Sequence, residues 1–277
     1  MSVALITGCS TGIGYATAQR LAKDGYQVVA TMRDPASSDL GSVANVDVRS
    51  LDVNDADAVD TLTAAVLAAH GAIDVLVNNA GVGSGGYSVE ETSIDKFREV
   101  METNYFGALR CIKAVLPSMR EAKNGCIVNV TSQAGLIAFP AMSAYCASKW
   151  ALEAASESLA IEVAPFGIRV AAIEPGSIMT AIWGKADLTP PTGAYAPIRK
   201  RFGHVVMTDL GQASTADEVA DCIAEAIATS EPRLRWLVGQ GADRNVVNRR
   251  GWTDEEYVEL WNDPDRDEFM RRMFADP

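Results

Sequence analysis

Val3-Ala4-Leu5-Ile6-Thr7-Gly8-Cys9-Ser10-Thr11-Gly12-Ile13-Gly14 is an apolar run, a glycine turn and the start of a segment with helical periodicity that continues to Lys23. The run is continuously apolar rather than alternating, which suits a parallel strand covered on both faces. A glycine turn between a strand and a helix lets backbone approach a pyrophosphate while the helix N-terminus presents N–H groups and positive dipole. The same glycines also suit a plain tight turn. Their spacing is GxxxGxG rather than the commoner GxGxxG, and no Lys-Ser or Lys-Thr follows to make a Walker loop.

Outward from this unit the pattern repeats. Val/Ile-rich runs at 4–7, 27–32, 47–51, 73–77, 126–130, 169–173 and 236–238 predict about seven strands. Between them, helices are expected over 12–23, 56–69, 96–120, 144–163 and 216–228. Thr215 and Glu218 make a capping box, Ser143 is the expected cap of the helix carrying Tyr145, and His70 before Gly71 marks a helix end. Strand and helix alternating from end to end predict an α/β fold, a three-layer, doubly wound parallel sheet with right-handed crossovers.

No repeat, low-complexity tract or Pro/Ser-rich linker divides residues 1–277, so one domain is expected. Two regions stand apart. Residues 177–213, with Pro190, Pro191 and Pro197, are expected to be a long irregular substrate loop. The C-terminal extension, about 240–277, is charged but carries Trp252, Tyr257, Leu260, Trp261, Phe269, Met270 and Phe274, so it should dock onto the body or a partner subunit.

A net charge of -12 disfavours a nucleic-acid partner, whose phosphates need Lys and Arg. No apolar stretch reaches the length of a membrane span, and the first apolar run lacks the basic lead of a signal sequence. Five scattered cysteines without CxxC spacing read as reduced thiols, so a soluble cytoplasmic protein is expected. Two histidines outside any ligand spacing leave no expected metal site.

Proton chemistry must therefore use other side chains. Tyr145 and Lys149 stand four apart on a predicted helix, so phenol and ammonium share a face. A phenol titrates near pKa ~10, and a neighbouring ammonium favours its ionised form. Ser132 lies thirteen residues before the phenol. A Tyr/Lys pair alone also occurs where the tyrosine is half-buried and the lysine reaches solvent.

Taken together, TGCSTGIG at 7–14, NNAG at 78–81, Asn104, Ser132, YCASK at 145–149, and Pro175, Gly176 and Thr180 resemble the short-chain dehydrogenase/reductase superfamily in order and spacing. The resemblance spans about residues 3–240 and implies a Rossmann fold and a nicotinamide cofactor. It implies that Tyr145 donates or removes the hydroxyl proton, that Lys149 lowers its pKa and holds the nicotinamide ribose, that Ser132 binds the substrate oxygen, and that Asn104 holds a water linking Lys149 to solvent. By the same resemblance Gly8, Ser10, Thr11, Gly12, Ile13, Gly14, Arg33, Asp52, Val53, Asn79, Ala80, Gly81, Pro175, Gly176, Ile178 and Thr180 border the cofactor, with Tyr145 and Lys149.

At the end of strand two, Met32 stands where NAD-preferring relatives carry Asp, and Arg33 follows, which favours NADP over NAD. Asp34 is placed to pair with Arg33 and weaken that preference. The run 145–153 and Ile173-Glu174-Pro175-Gly176 resemble the hydroxysteroid and retinol dehydrogenase branch. Ser132, Ala134, Gly135, Phe139, Met142, Tyr145, Met179 and Trp183 are the expected substrate wall, mostly apolar, for a bulky hydrophobic ketone or secondary alcohol. The other readings are a cofactor-binding sensor that has lost turnover, a general carbonyl or 3-oxoacyl reductase, an extended-branch epimerase, and a scaffold built on the tail. A homodimer or homotetramer pairing through helices 96–120 and 144–163 is the oligomer that the resemblance implies.

Overall fold

The computed structural model describes residues 1–180, 191–231 and 233–275. Seven parallel strands form one sheet: β1 (Val3–Thr7), β2 (Gln27–Met32), β3 (Val46–Ser50), β4 (Val75–Asn78), β5 (Gly125–Val130), β6 (Ile168–Pro175) and β7 (Arg235–Val238). Their spatial order is β3-β2-β1-β4-β5-β6-β7, so the winding reverses between β1 and β4. A crevice outside the carboxyl ends of strands at such a reversal is where ligands bind in open α/β sheets.

Alternate residues of each strand feed two cores. Ala4, Ile6, Val28, Val128 and Ile173 face α1 (Gly12–Lys23) and α7 (Ala216–Ala228), where Leu21, Val219 and Ile223 are buried. Val3, Leu5, Val29, Leu76 and Ile127 face α2 (Ala56–His70), α4 (Gly107–Ala122) and α5 (Ser143–Val163), meeting Leu62, Ile112, Val115 and Leu159. Burial on both faces is why these strands lack alternation. The edge strand β3 differs: it exposes Arg49, which grips Asp47 at 2.9 Å, a charged edge that resists further pairing.

Two expectations about helices need correction. The helix expected over 96–120 is broken: α3 (Ile94–Met101) passes into a π turn at Glu102–Phe106 before α4 begins. Such turns carry one extra residue, and the one placed inward here is Asn104, 1% exposed. Ser143 does not cap α5; Met142 is the N-cap, and the Ser143 hydroxyl is buried with no partner among the described residues. The Thr215–Glu218 capping box is present, and Gly71 ends α2 with φ +79°.

Residues 177–213 are not wholly irregular, since α6 (Ala196–Leu210) lies within them. The extension folds as α8 (Ala242–Gly251), α9 (Asp254–Asn262) and α10 (Arg266–Met273). Leu260, Trp261 and Phe269 are buried in a third apolar cluster with Phe139, Cys146 and Val205, packed by Phe202, Trp252 and Tyr257. The tail thus docks on its own chain, held also by the Tyr257 hydroxyl donating to the Ala138 carbonyl at 2.9 Å.

Candidate active site

The first glycine turn is shaped by what presses on it. Gly8 and Gly12 have φ of +74° and +63°, a region open mainly to glycine. A Cβ on Gly14 would lie 2.3 Å from Asn79 Nδ2 and 2.5 Å from the Gly8 oxygen, so only glycine fits there. Asn79 Nδ2 donates to the carbonyls of Thr7 (2.9 Å) and Gly8 (3.0 Å), while the amides of Asn79 and Ala80 donate to Thr7 Oγ1. These bonds stitch the ends of β1 and β4 together at the winding reversal.

This turn fits a pyrophosphate group. Thr11 precedes α1 with no side-chain capping bond, which leaves its hydroxyl and the first N–H groups of the helix to an anion. Thr180 stands over the turn, its methyl 3.3 Å from where a Gly12 Cβ would be. Ser10 is half-buried beside it, Ile13 packs on the first core, and Ile178 is 5% exposed in that core. Pro175 ends β6, and Gly176 backs against Gln240, whose carbonyl would lie 2.2 Å from an added Cβ. Gly81 lies against Asn104 Oδ1.

At the far end of the crevice Arg33 is exposed, directly after buried Met32. Asp34 does not pair with it; its Oδ1 accepts from the Ala36 amide at 3.0 Å and caps a short turn at Pro35–Ser37. Asp52 is exposed and accepts from the Asn54 amide. Val53 is built into the second core, against Gly107.

The proton-handling residues come together at the ends of β4, β5 and β6. Ser132 follows β5, and its Oγ accepts from the Ala134 amide at 3.1 Å and donates to the Pro175 carbonyl at 3.5 Å. Tyr145 and Lys149 share a face of α5, with Lys149 Nζ 5.7 Å from the centre of the phenol ring. Lys149 donates to the Val130 carbonyl at 2.8 Å. Asn104 Nδ2 donates to the Val82 carbonyl and to Ser148 Oγ, both at 3.0 Å, while its Oδ1 accepts from the Val82 amide at 2.7 Å.

The electrostatics correct one expectation. The lysine does not pull the phenol down: burial pushes Tyr145 up to about 12, against a smaller downward pull from its hydrogen bond with Ser132. Lys149 itself falls to about 8, because burial disfavours its charge more than nearby Glu153 supports it. Sharing a helix face does not bring charge onto the phenol oxygen when the ammonium is turned to a strand carbonyl and both groups are desolvated.

Of the expected substrate wall, Phe139 and Ala134 are buried, with Phe139 6.3 Å from Phe202. Gly135 backs onto α5 at Glu153 and Lys149. Met142 is half-buried beside Tyr145 in the third cluster, and Met179 is 56% exposed. Trp183 lies outside the described residues. Sequence reasoning missed helix α6: Ile198 and Phe202 join that cluster, and Arg199 is fixed by the Gly86 carbonyl (3.0 Å), Glu91 and the face of Tyr87. It also missed Ser148, whose one-turn spacing from Tyr145 was the available signal.

Residues 2–190 match the short chain dehydrogenase family, and the chain belongs to that family. It is 38% identical to retinol dehydrogenase 8 of Bos taurus over 83% of this chain and 79% of that one. It is 33% identical to the 3-ketodihydrosphingosine reductase of Bacteroides thetaiotaomicron over 93% and 95% of the two chains. Among solved structures, a short-chain dehydrogenase from Streptomyces avermitilis superposes with a TM-score of 0.81 at 37% identity, covering 94% of this chain and 95% of that one. The protein is thus an oxidoreductase of the alcohol dehydrogenase/reductase type, in the branch of the family that includes retinol and hydroxysteroid dehydrogenases.

Proposed function

We propose that this enzyme interconverts a bulky hydrophobic ketone and its secondary alcohol with NADP(H). The observation that carries the reading is the convergence of Ser132, Tyr145 and Lys149 at the strand ends, beside the third apolar cluster, which Met142, Ile198 and Phe202 join. The nicotinamide supplies the hydride, which no side chain can. Gly8, Gly12, Gly14, Asn79 and Thr180 would hold the cofactor in the crevice, and Lys149 its nicotinamide ribose.

Tyr145 is the proton donor to the carbonyl oxygen. A phenol held near 12 stays protonated at neutral pH, ready to give its proton as negative charge develops on that oxygen. Ser132 donates to the same oxygen and steadies the developing charge. Lys149 keeps positive charge close by until pH exceeds about 8. The Asn104 side chain is spent on Val82 and Ser148, so its part is to fix the loop after β4, and a water held here would meet main-chain groups of the π turn.

Arg33 favours NADP because Asp34 is occupied with its own turn, which leaves the guanidinium to a ribose phosphate. Arg33→Ala should raise the KM for NADPH about tenfold or more and leave that for NADH within about twofold, in line with losing one charge-assisted contact. Equal changes for both cofactors would remove the phosphate assignment. The function as a whole is tested by following nicotinamide absorbance with each cofactor against a panel of hydrophobic ketones; no turnover with any of them would overturn it.

The chain is read as one domain whose C-terminal helices belong to the body, working in a reducing compartment. It pairs with a second copy through α4 and α5. Support comes from apolar residues left bare there: Trp150 is 49% and Ile161 72% exposed on α5, with Phe106 at 44% before α4.

A further inference from the structure

Beneath the Tyr145 site lies a buried acidic cluster that the reaction as described does not use. Lys149, Glu153 and Glu157 stand on one face of α5 at four-residue spacing. In the sheet below, Ala172 of β6 pairs with Arg235 of β7, and Glu174 with Leu237. Ala171, Ile173 and Trp236 fill the opposite core, so Glu174 and Arg235 point toward α5.

The result is two carboxylates on one nitrogen. Arg235 Nε lies 3.2 Å from Glu153 Oε2 and 3.5 Å from Glu174 Oε1, while its other end reaches solvent-facing Glu157 at 2.7 Å. Glu153 is 4% exposed and Glu174 fully buried. Among the described residues, Glu153 Oε1 and Glu174 Oε2 have no hydrogen-bond partner, and Glu174 Oε1 has only the 3.5 Å contact with Arg235. Buried carboxylate oxygens left bare are costly, at about 1–3 kcal/mol each and more when charged. One guanidinium cannot neutralise two such carboxylates, and a proton is the simplest donor that fills the gap.

We propose that Glu153 and Glu174 form a carboxylate pair holding a single proton, and that they act on the reaction as positioning residues, Glu153 supporting the charge of Lys149 and protonated Glu174 allowing Glu153 to remain ionised. Burial first, and then repulsion by Glu153, push Glu174 up to about 8, against the pull of Arg235, Arg250 and Arg233. Glu153 is raised by burial and drawn back first by a hydrogen bond with Thr131, then by Arg235 and last by Lys149. The charged groups facing the pair are therefore Lys149 and Glu157 from α5, Arg235 from β7, Arg233 just before it, and Arg250 from α8. The effect on turnover rests on the reductase reading; the shared proton does not.

Three measurements test this, two of them independent of activity. Glu174 has a raised folded-state pKa, so its contribution is present at low pH and lost as pH climbs toward about 8. The Tm of Glu174→Gln relative to wild type should therefore rise between pH 5 and pH 9, and a difference flat with pH would overturn the shared proton. In a thermal double-mutant cycle at pH 7, Lys149→Met should recover part of the stability lost in Glu153→Gln, because the unsupported ammonium is gone; additive losses would overturn the link to Lys149. In ketone reduction, the alkaline limb of kcat/KM should move down by about half a pH unit or more in Glu153→Gln and stay in place in Glu153→Asp. A limb that does not move in Glu153→Gln would reduce Glu153 to a tie between α5 and β7. If the wild type reduces no ketone, the reductase reading fails while the two thermal measurements still decide the pair.

Discussion

Tyr145→Phe is expected to lose about 10²–10⁴-fold in turnover, the range set by removing a positioned proton donor. The ring stays, and with it the packing of the third cluster and the 5.7 Å approach of Lys149 to its face. Cofactor affinity, measured by fluorescence titration, should therefore change by no more than about twofold, and the Tm should change little, because Ser132 keeps its bonds to Ala134 and Pro175. Kinetics would show a fall in kcat without a matching rise in KM, the mark of an interaction made mainly in the transition state. Activity retained within about tenfold would mean that the proton comes from elsewhere and would overturn the mechanism.

Asn104→Ala should be the most destabilising single change near the site. The side chain closes three bonds in one buried place, to the Val82 amide, the Val82 carbonyl and Ser148 Oγ. Truncation strands the Val82 amide and carbonyl, at about 1–3 kcal/mol for each that water cannot reach, while Ser148 keeps its bond to the Tyr145 carbonyl. A total of about 3 kcal/mol implies a Tm lower by about 6 °C or more, using the usual scaling for chains of this size. Because Val82 follows Asn79, Ala80 and Gly81, the loop beside the cofactor crevice should loosen too, and KM for the cofactor should rise. Asn104→Asp, nearly the same in shape, keeps the acceptor for the Val82 amide but turns a carboxylate oxygen on the Val82 carbonyl, so it should not rescue. A Tm loss under about 2 °C for the alanine variant would show that the π turn holds its shape without this amide.

The sheet was legible because its signals are local. Apolar runs such as Val3–Thr7 and Gly125–Val130 are continuous, since both faces are covered, and six of the seven strands begin within one residue of where the pattern places them. The fourth is shortened to Val75–Asn78, because Ile73 packs as a lead-in to the second core. The glycine turn was legible for a similar reason: positive φ and close approach exclude side chains at Gly8, Gly12 and Gly14, and glycine leaves a visible mark. The π turn was not. Residues 94–122 have unbroken helical periodicity, and the extra residue at Asn104 is stabilised by Val82 and Ser148, which are distant in sequence. Helices α8 to α10 were visible as apolar residues needing a partner, but the partner, the turn after Ser132 with α6, was settled only by packing.

What the sequence by itself determined is which atoms meet the chemistry: the glycines of the first turn, the hydroxyl of Ser132, the phenol of Tyr145 and the amine of Lys149, because one helix turn and one strand end fix their spacing. What only the tertiary structure decided is their charge. Burial holds the phenol near 12 and brings the amine down to about 8, and two carboxylates from separate elements converge on Arg235 beneath them. Spacing along a chain sets geometry within an element, whereas a pKa is set by everything that excludes water around a group, and that surrounding shell is drawn from β5, β6, β7 and α5 together.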